Sequence, residues 1–112
     1  MALTLARAMQ AAQRDKDVVA FLQARIKQWP EISEFKKLLA DGYERLGDSV
    51  QAHLSMAEYY EQTGALPTAV ELLQQARRLS QDFYVQSEVD MRIRMLRQRM
   101  DDKRALLEQF KS

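Results

Sequence analysis

His53 is the sole histidine of the 112-residue chain. Leu54, Ser55 and Met56 follow it, so it does not open an H-E-x-x-H motif, in which two histidines one turn apart hold zinc and the glutamate acts as base. The chain has no cysteine, which removes a thiolate nucleophile, a disulfide and a zinc site of the thiolate type. No glycine-rich phosphate loop, metal cluster or hydroxyl nucleophile beside a base is present in the sequence either. The expectation is a non-enzymatic chain without a cofactor or metal of its own, with His53 as a packed structural residue.

Charge is the remaining chemical resource, and it is unevenly distributed. Residues 1–30 carry 5 basic and 2 acidic side chains, residues 31–71 carry 3 and 8, and residues 72–112 carry 9 and 6. Arg92, Arg94, Arg97, Arg99 and Arg104 raise nucleic-acid binding as a function. Against it, Asp90, Asp101 and Asp102 interrupt the series, and no aromatic is interleaved to stack on bases. A solvated capping helix is expected, without a nucleic-acid partner. No apolar run approaches the roughly 18 residues of a membrane span, and Arg7 with several glutamines breaks the stretch where a signal peptide would be apolar. A soluble chain, or a soluble piece of a longer one, is expected.

With 3 Gly and 2 Pro among abundant Ala, Leu, Gln, Glu and Arg, the composition is that of an all-α protein with short connections. The apolar period predicts about six helices in a single domain. They fall near 3–13, 16–29, 32–46, 49–63, from 66, and 83–110, the last about 40 Å long. Pro30 ends the second, because a proline disfavours helical geometry in the residue before it. Phe35, Leu38, Leu39, Gly42, Tyr43 and Leu46 form the core face of the third; His53, Met56, Ala57 and Tyr60 that of the fourth. In the last, Val85, Val89, Ile93, Leu96, Met100, Leu107 and Phe110 make one stripe, widened by Met91, Met95 and Leu106. Gly47 and Gly64 suit the left-handed position after a helix, Pro67 a first turn, and Ser80 or Asp82 an N-cap.

Gly47 and Gly64 are 17 residues apart, half the 34-residue period of the tetratricopeptide repeat. With Gly64 at the repeat's turn, Ala57, Tyr60, Ala69, Leu73 and Ala76 occupy its small, aromatic, small, bulky and small positions. A second frame, with Pro30 ending one repeat, also fits and puts Leu39, Ala40, Tyr43, Gly47, Ala52 and Met56 in place. Either frame predicts a right-handed superhelix of antiparallel helices, with residues 1–82 as repeat helices and 83–112 as a long C-terminal capping helix.

The paired "LGD" and "QTG" turns, the "AEYY" helix, "AVELLQQA" and the basic "VDMRIRMLRQ" together resemble one family. They look like the C-terminal tetratricopeptide region of bacterial periplasmic zinc metalloproteases related to the β-barrel assembly-enhancing protease. The likeness covers more than half of the chain, while residues 1–30 match as a degenerate repeat with Arg25 where alanine is expected. It implies a periplasmic, non-catalytic binding region acting in outer-membrane protein assembly and quality control. Its partners would be outer-membrane proteins or their assembly machinery, and its own peptidase domain, which would hold the zinc. A free-standing adaptor that scaffolds other proteins remains the alternative.

In such repeats the groove is lined by the exposed face of each first helix. With Gly64 as the turn these residues are Gln51, Leu54, Glu58, Glu61 and Gln62; with Gly47 they are Glu34, Lys37, Asp41, Glu44 and Arg45. Tyr59 is placed either in the groove or between helices, and Tyr60 between helices. The chain has no Asn for a carboxylate clamp, and the acidic groove suits a basic or extended polar segment. Met91, Met95, Arg92 and Arg99 form a candidate interface on the last helix, for the peptidase domain or for a second copy of the chain.

Overall fold

A computed structural model of the chain describes Thr4 and residues 14–111, and these form an all-helical structure with no strand among the described residues. Among the described residues five helices follow one another: α1 (Asp15–Gln28), α2 (Ser33–Arg45), α3 (Ser49–Gln62), α4 (Leu66–Leu79) and α5 (Phe83–Lys111). The helix expected at 3–13 lies outside the described residues. Connections of three or four residues make successive helices reverse direction, and each packs on the next. The result is an elongated body of 56 × 35 × 19 Å. Its radius of gyration is 16.0 Å, where a compact domain of this size would have about 13 Å.

The two glycine turns are built alike. At the end of α2, Gly47 N–H donates to the Glu44 carbonyl (3.0 Å) and Asp48 N–H to the Tyr43 carbonyl (2.9 Å). At the end of α3, Gly64 N–H donates to Glu61 (3.3 Å) and Ala65 N–H to Tyr60 (2.8 Å). This paired pattern satisfies the last carbonyls of a helix and needs a left-handed residue, supplied by Gly47 at φ 79° and Gly64 at φ 89°. Asp48 then caps α3 by accepting from Gln51 N–H at 3.1 Å. Of the two cap candidates for α5, Asp82 takes the role, accepting from Tyr84 N–H at 2.8 Å, while Ser80 braces Asp82.

The core has two parts. Val18, Val19 and Leu22 of α1 meet Phe35, Leu38 and Leu39 of α2, and α1 approaches closely because Gly42 lacks a side chain; a Cβ there would lie 3.0 Å from Val19 Cγ2. The second part joins Ala57 of α3, Leu66, Ala69, Val70 and Leu73 of α4, and Val89, Ile93 and Leu96 of α5.

Three helices depart from the expected core. Leu46 is exposed at the α2 cap. On α3 the deepest residues are Ala52, Ser55 and Ala57, whereas His53 and Met56 are half-buried. A helix held between two neighbours puts its small residues at the closest approaches. On α5, Leu107 and Phe110 are exposed, as are Met91, Met95 and Leu106. The stripe is therefore buried only in its first half.

No atom lies within 4 Å of a Cβ built on Gly47 or Gly64, so an alanine at either position meets backbone strain alone. Gly47→Ala and Gly64→Ala are each expected to cost about 1 kcal/mol in urea unfolding. Leu73→Ala, which opens a hole in the second core, should cost about 2–5 kcal/mol.

Candidate functional site

The second core sets the position of Arg92. It sits beside the buried Val89, Ile93 and Leu96, so burying those three turns its side chain toward α3. There it lies 3.1 Å from Glu61 and 3.8 Å from Glu58, with its side chain only 20% exposed. Arg99, two turns on, reaches the other Glu61 oxygen at 3.5 Å. Two arginines of the last helix therefore meet two glutamates of α3, across a separation of about thirty residues in sequence.

Below this bridge the helices part and leave a cleft of about 250 Å³. Its walls come from α2 (Leu39, Tyr43), α3 (Gln51, Leu54, Ser55, Glu58) and α5 (Val85, Glu88, Val89, Arg92). Leu39, Tyr43, Leu54, Val85 and Val89 line it with apolar groups, and Gln51, Ser55, Glu58, Glu88 and Arg92 with polar ones. Tyr43 is held in place by Gln23 of α1, whose amide donates to the phenol oxygen at 2.6 Å. A second depression adjoins it, sharing Glu58, Glu88 and Arg92 and rimmed also by Lys36, Glu61, Gln62 and Arg99. Gln62 fixes that corner, accepting from Lys36 Nζ at 2.8 Å and donating to the Pro30 carbonyl at 3.0 Å.

The rim is balanced in charge: Glu58, Glu61 and Glu88 stand against Lys36, Arg92 and Arg99. The acidic surface expected from α3 alone is thus largely answered by α5. Gln51, Leu54, Glu58, Glu61 and Gln62 do come together at the cleft. Asp41 and Glu44 do not; they border a separate depression with Ala52, His53, Met56 and Leu72. Tyr59 is not a cleft wall either. Its half-buried ring stacks edge-on to Tyr60 at 5.2 Å and lies under Lys37 Nζ at 5.7 Å. Tyr60 packs against the second core.

The four residues grouped as an interface on α5 fall on two stripes. Arg92 and Arg99 turn to the cleft, while Met91 and Met95 are exposed beside them. Leu39, Tyr43, Val85 and Glu88 were missed as cleft residues. Each looks like an ordinary core or surface position on its own helix, and only the crossing of three helices brings them together. His53 bonds locally, its Nδ1–H donating to the Ser49 carbonyl at 2.6 Å. Among the described residues no group of three or more His, Asp and Glu is placed to hold a metal ion, and no helix is long and apolar enough to cross a membrane.

Removing Arg92 should cost more than removing a similar arginine whose pair is open to solvent. Arg92→Gln takes the cation from Glu58 and leaves Glu61 to Arg99 alone, and is expected to lower stability by about 1–2 kcal/mol. Arg77→Gln, which breaks an exposed pair with Asp90, should cost about 0.5 kcal/mol or less in the same unfolding experiment. Comparison of the chain with protein-family models and with curated proteins gives no match.

Proposed function

We propose that the chain is a non-catalytic, tetratricopeptide-like binding domain, and that it holds an extended protein or peptide segment in the cleft between α2, α3 and α5. The observation that carries this reading is the cleft itself, where Leu39, Leu54 and Val85 lie among polar groups, with a depression of balanced charge adjoining it. An apolar side chain of the segment seats on these apolar residues, and its backbone amides and carbonyls meet Gln51, Gln62, Glu88 and Lys36. Balanced charge makes the choice of segment depend on shape and hydrogen bonding more than on net charge.

The repeat reading has support from two sides. Gly47 and Gly64 end α2 and α3 with the same turn at a 17-residue interval. Ala57, Ala69, Leu73 and Ala76, which occupy the small and bulky positions in the frame with its turn at Gly64, are all buried. The division of the core, α1 with α2 and α3 with α4 and α5, favours that frame over the one ending at Pro30. In this reading α3 and α4 are one unit of a right-handed superhelix, and the first half of α5 caps it.

The likeness of "LGD", "QTG", "AEYY", "AVELLQQA" and "VDMRIRMLRQ" to the binding region of periplasmic metalloproteases supplies the partner class. We assign the chain to the periplasm on that basis, with segments of outer-membrane proteins or of their assembly machinery as its ligands. Any zinc and any peptide-bond cleavage belong to a peptidase domain outside these residues.

The test is binding of fluorescent peptides tiled from outer-membrane β-barrel strands. Leu54→Arg, which puts a charged chain into the cleft, is expected to weaken the best binders by at least about tenfold, equal to about 1.4 kcal/mol. Lys27→Glu, on the exposed end of α1, should leave them unchanged. Equal affinity for the Leu54→Arg and unmodified chains would remove the cleft from the account.

A further inference from the structure

α5 outruns the helix on which it packs. It has 29 residues against 14 for α4, so at about 1.5 Å per residue it is about 22 Å longer. The seam that buries Val89, Ile93 and Leu96 continues in steps of four and three through Met100, Lys103, Leu107 and Phe110, the spacing with which one helix pairs with another. Beyond Met100 no described helix covers it. Leu107 is 54% and Phe110 82% exposed, and residues 101–111 are exposed throughout.

The charges on this overhang are sorted by face. At about 100° per residue, Met100, Lys103, Arg104, Leu107, Phe110 and Lys111 share one arc of roughly 120°, whereas Asp101, Asp102 and Glu108 lie outside it. The arc carries apolar groups and cations and no acid. None of Lys103, Arg104 and Lys111 is in an ion pair with a described residue. At the root of the arc, Met100 and Leu107 face Gly64 of the turn and Leu66 and Pro67 at the start of α4 across an apolar cavity of about 310 Å³, rimmed by Lys103 and Arg104.

A second copy laid along the same face would set these cations against their own kind. The complement is a helix with an apolar seam and acidic flanks. We propose that the overhang of α5, with the shelf formed by Gly64 and the first turn of α4, is a docking site for an acidic amphipathic helix of another protein. Apolar side chains of that helix, one or two turns apart, seat on Met100, Leu107 and the cavity above Pro67, and its flanking carboxylates meet Lys103, Arg104 and Lys111. This site is distinct from the cleft and does not depend on the peptide held there.

Two stapled helical peptides test the proposal on the full chain by fluorescence anisotropy. Both carry leucine along one seam, with glutamate at the flanking positions in one and lysine in the other. The glutamate peptide is expected to bind and the lysine peptide not to. Lys103→Glu combined with Arg104→Glu should weaken the glutamate peptide by at least about tenfold, as should Leu107→Ser. Because these positions are exposed, the variants should keep the helical circular dichroism and melting temperature of the unmodified chain. The proposal is overturned if the glutamate peptide fails to bind, if both peptides bind alike, or if the charge reversal leaves affinity unchanged. Self-association of the chain that is abolished by Leu107→Ser would also overturn it, by assigning the face to a second copy.

Discussion

The contact on which the rest of this structure depends is the seam where Val89, Ile93 and Leu96 of α5 close over Ala57 of α3 and over Ala69, Val70 and Leu73 of α4. Ala57 and Ala69 on the facing side of the seam let the large residues of α5 come in close, and burying them is the main favourable term available to a helix that otherwise carries many charges. Rotation of α5 about its own axis is thereby fixed. Once it is fixed, Arg92 and Arg99 have one direction to go, toward Glu58 and Glu61, and the cleft acquires its third wall.

The same seam explains why α5 has two characters. α4 offers 14 residues of cover, so the first half of α5 becomes part of the body while the second half is left as a helix with an exposed, sorted surface. A free helical end of this length is marginal in water by itself. Its helicity is propagated from the docked half, and it gains most when something else packs on it. The first half of the helix therefore builds the site, and the second half offers a surface.

Much of the architecture was legible in the sequence because it is written in local signals. Gly47 and Gly64 sit where a left-handed residue is needed, Asp82 is one of two cap candidates before α5, and Phe35, Leu38 and Leu39 keep a clean helical period. The candidate site was legible only in part. The repeat pattern of one helix puts Gln51, Leu54, Glu58, Glu61 and Gln62 on one face, where the structure also has them near one another, but it does not carry the electrostatic character of their surroundings. Periodicity tells which face of α5 is apolar and is silent on how it is rotated against α3, so the pairing of Glu58 and Glu61 with Arg92 could not be read from it. Leu107 and Phe110 misled for a related reason: an apolar stripe states what a helix could bury, and the length of its neighbour decides how much it does.

Amide hydrogen exchange along α5 tests this account most directly. Docking through the seam predicts strong protection from Val89 to about Met100, rising and falling with global stability, and nearly free exchange from about Lys103 to Lys111. Protection that is uniformly low across Val89, Ile93 and Leu96 would contradict the docked seam, and with it the cleft and its arginine bridge. Protection that runs undiminished to Lys111 in the monomeric chain would contradict the free overhang.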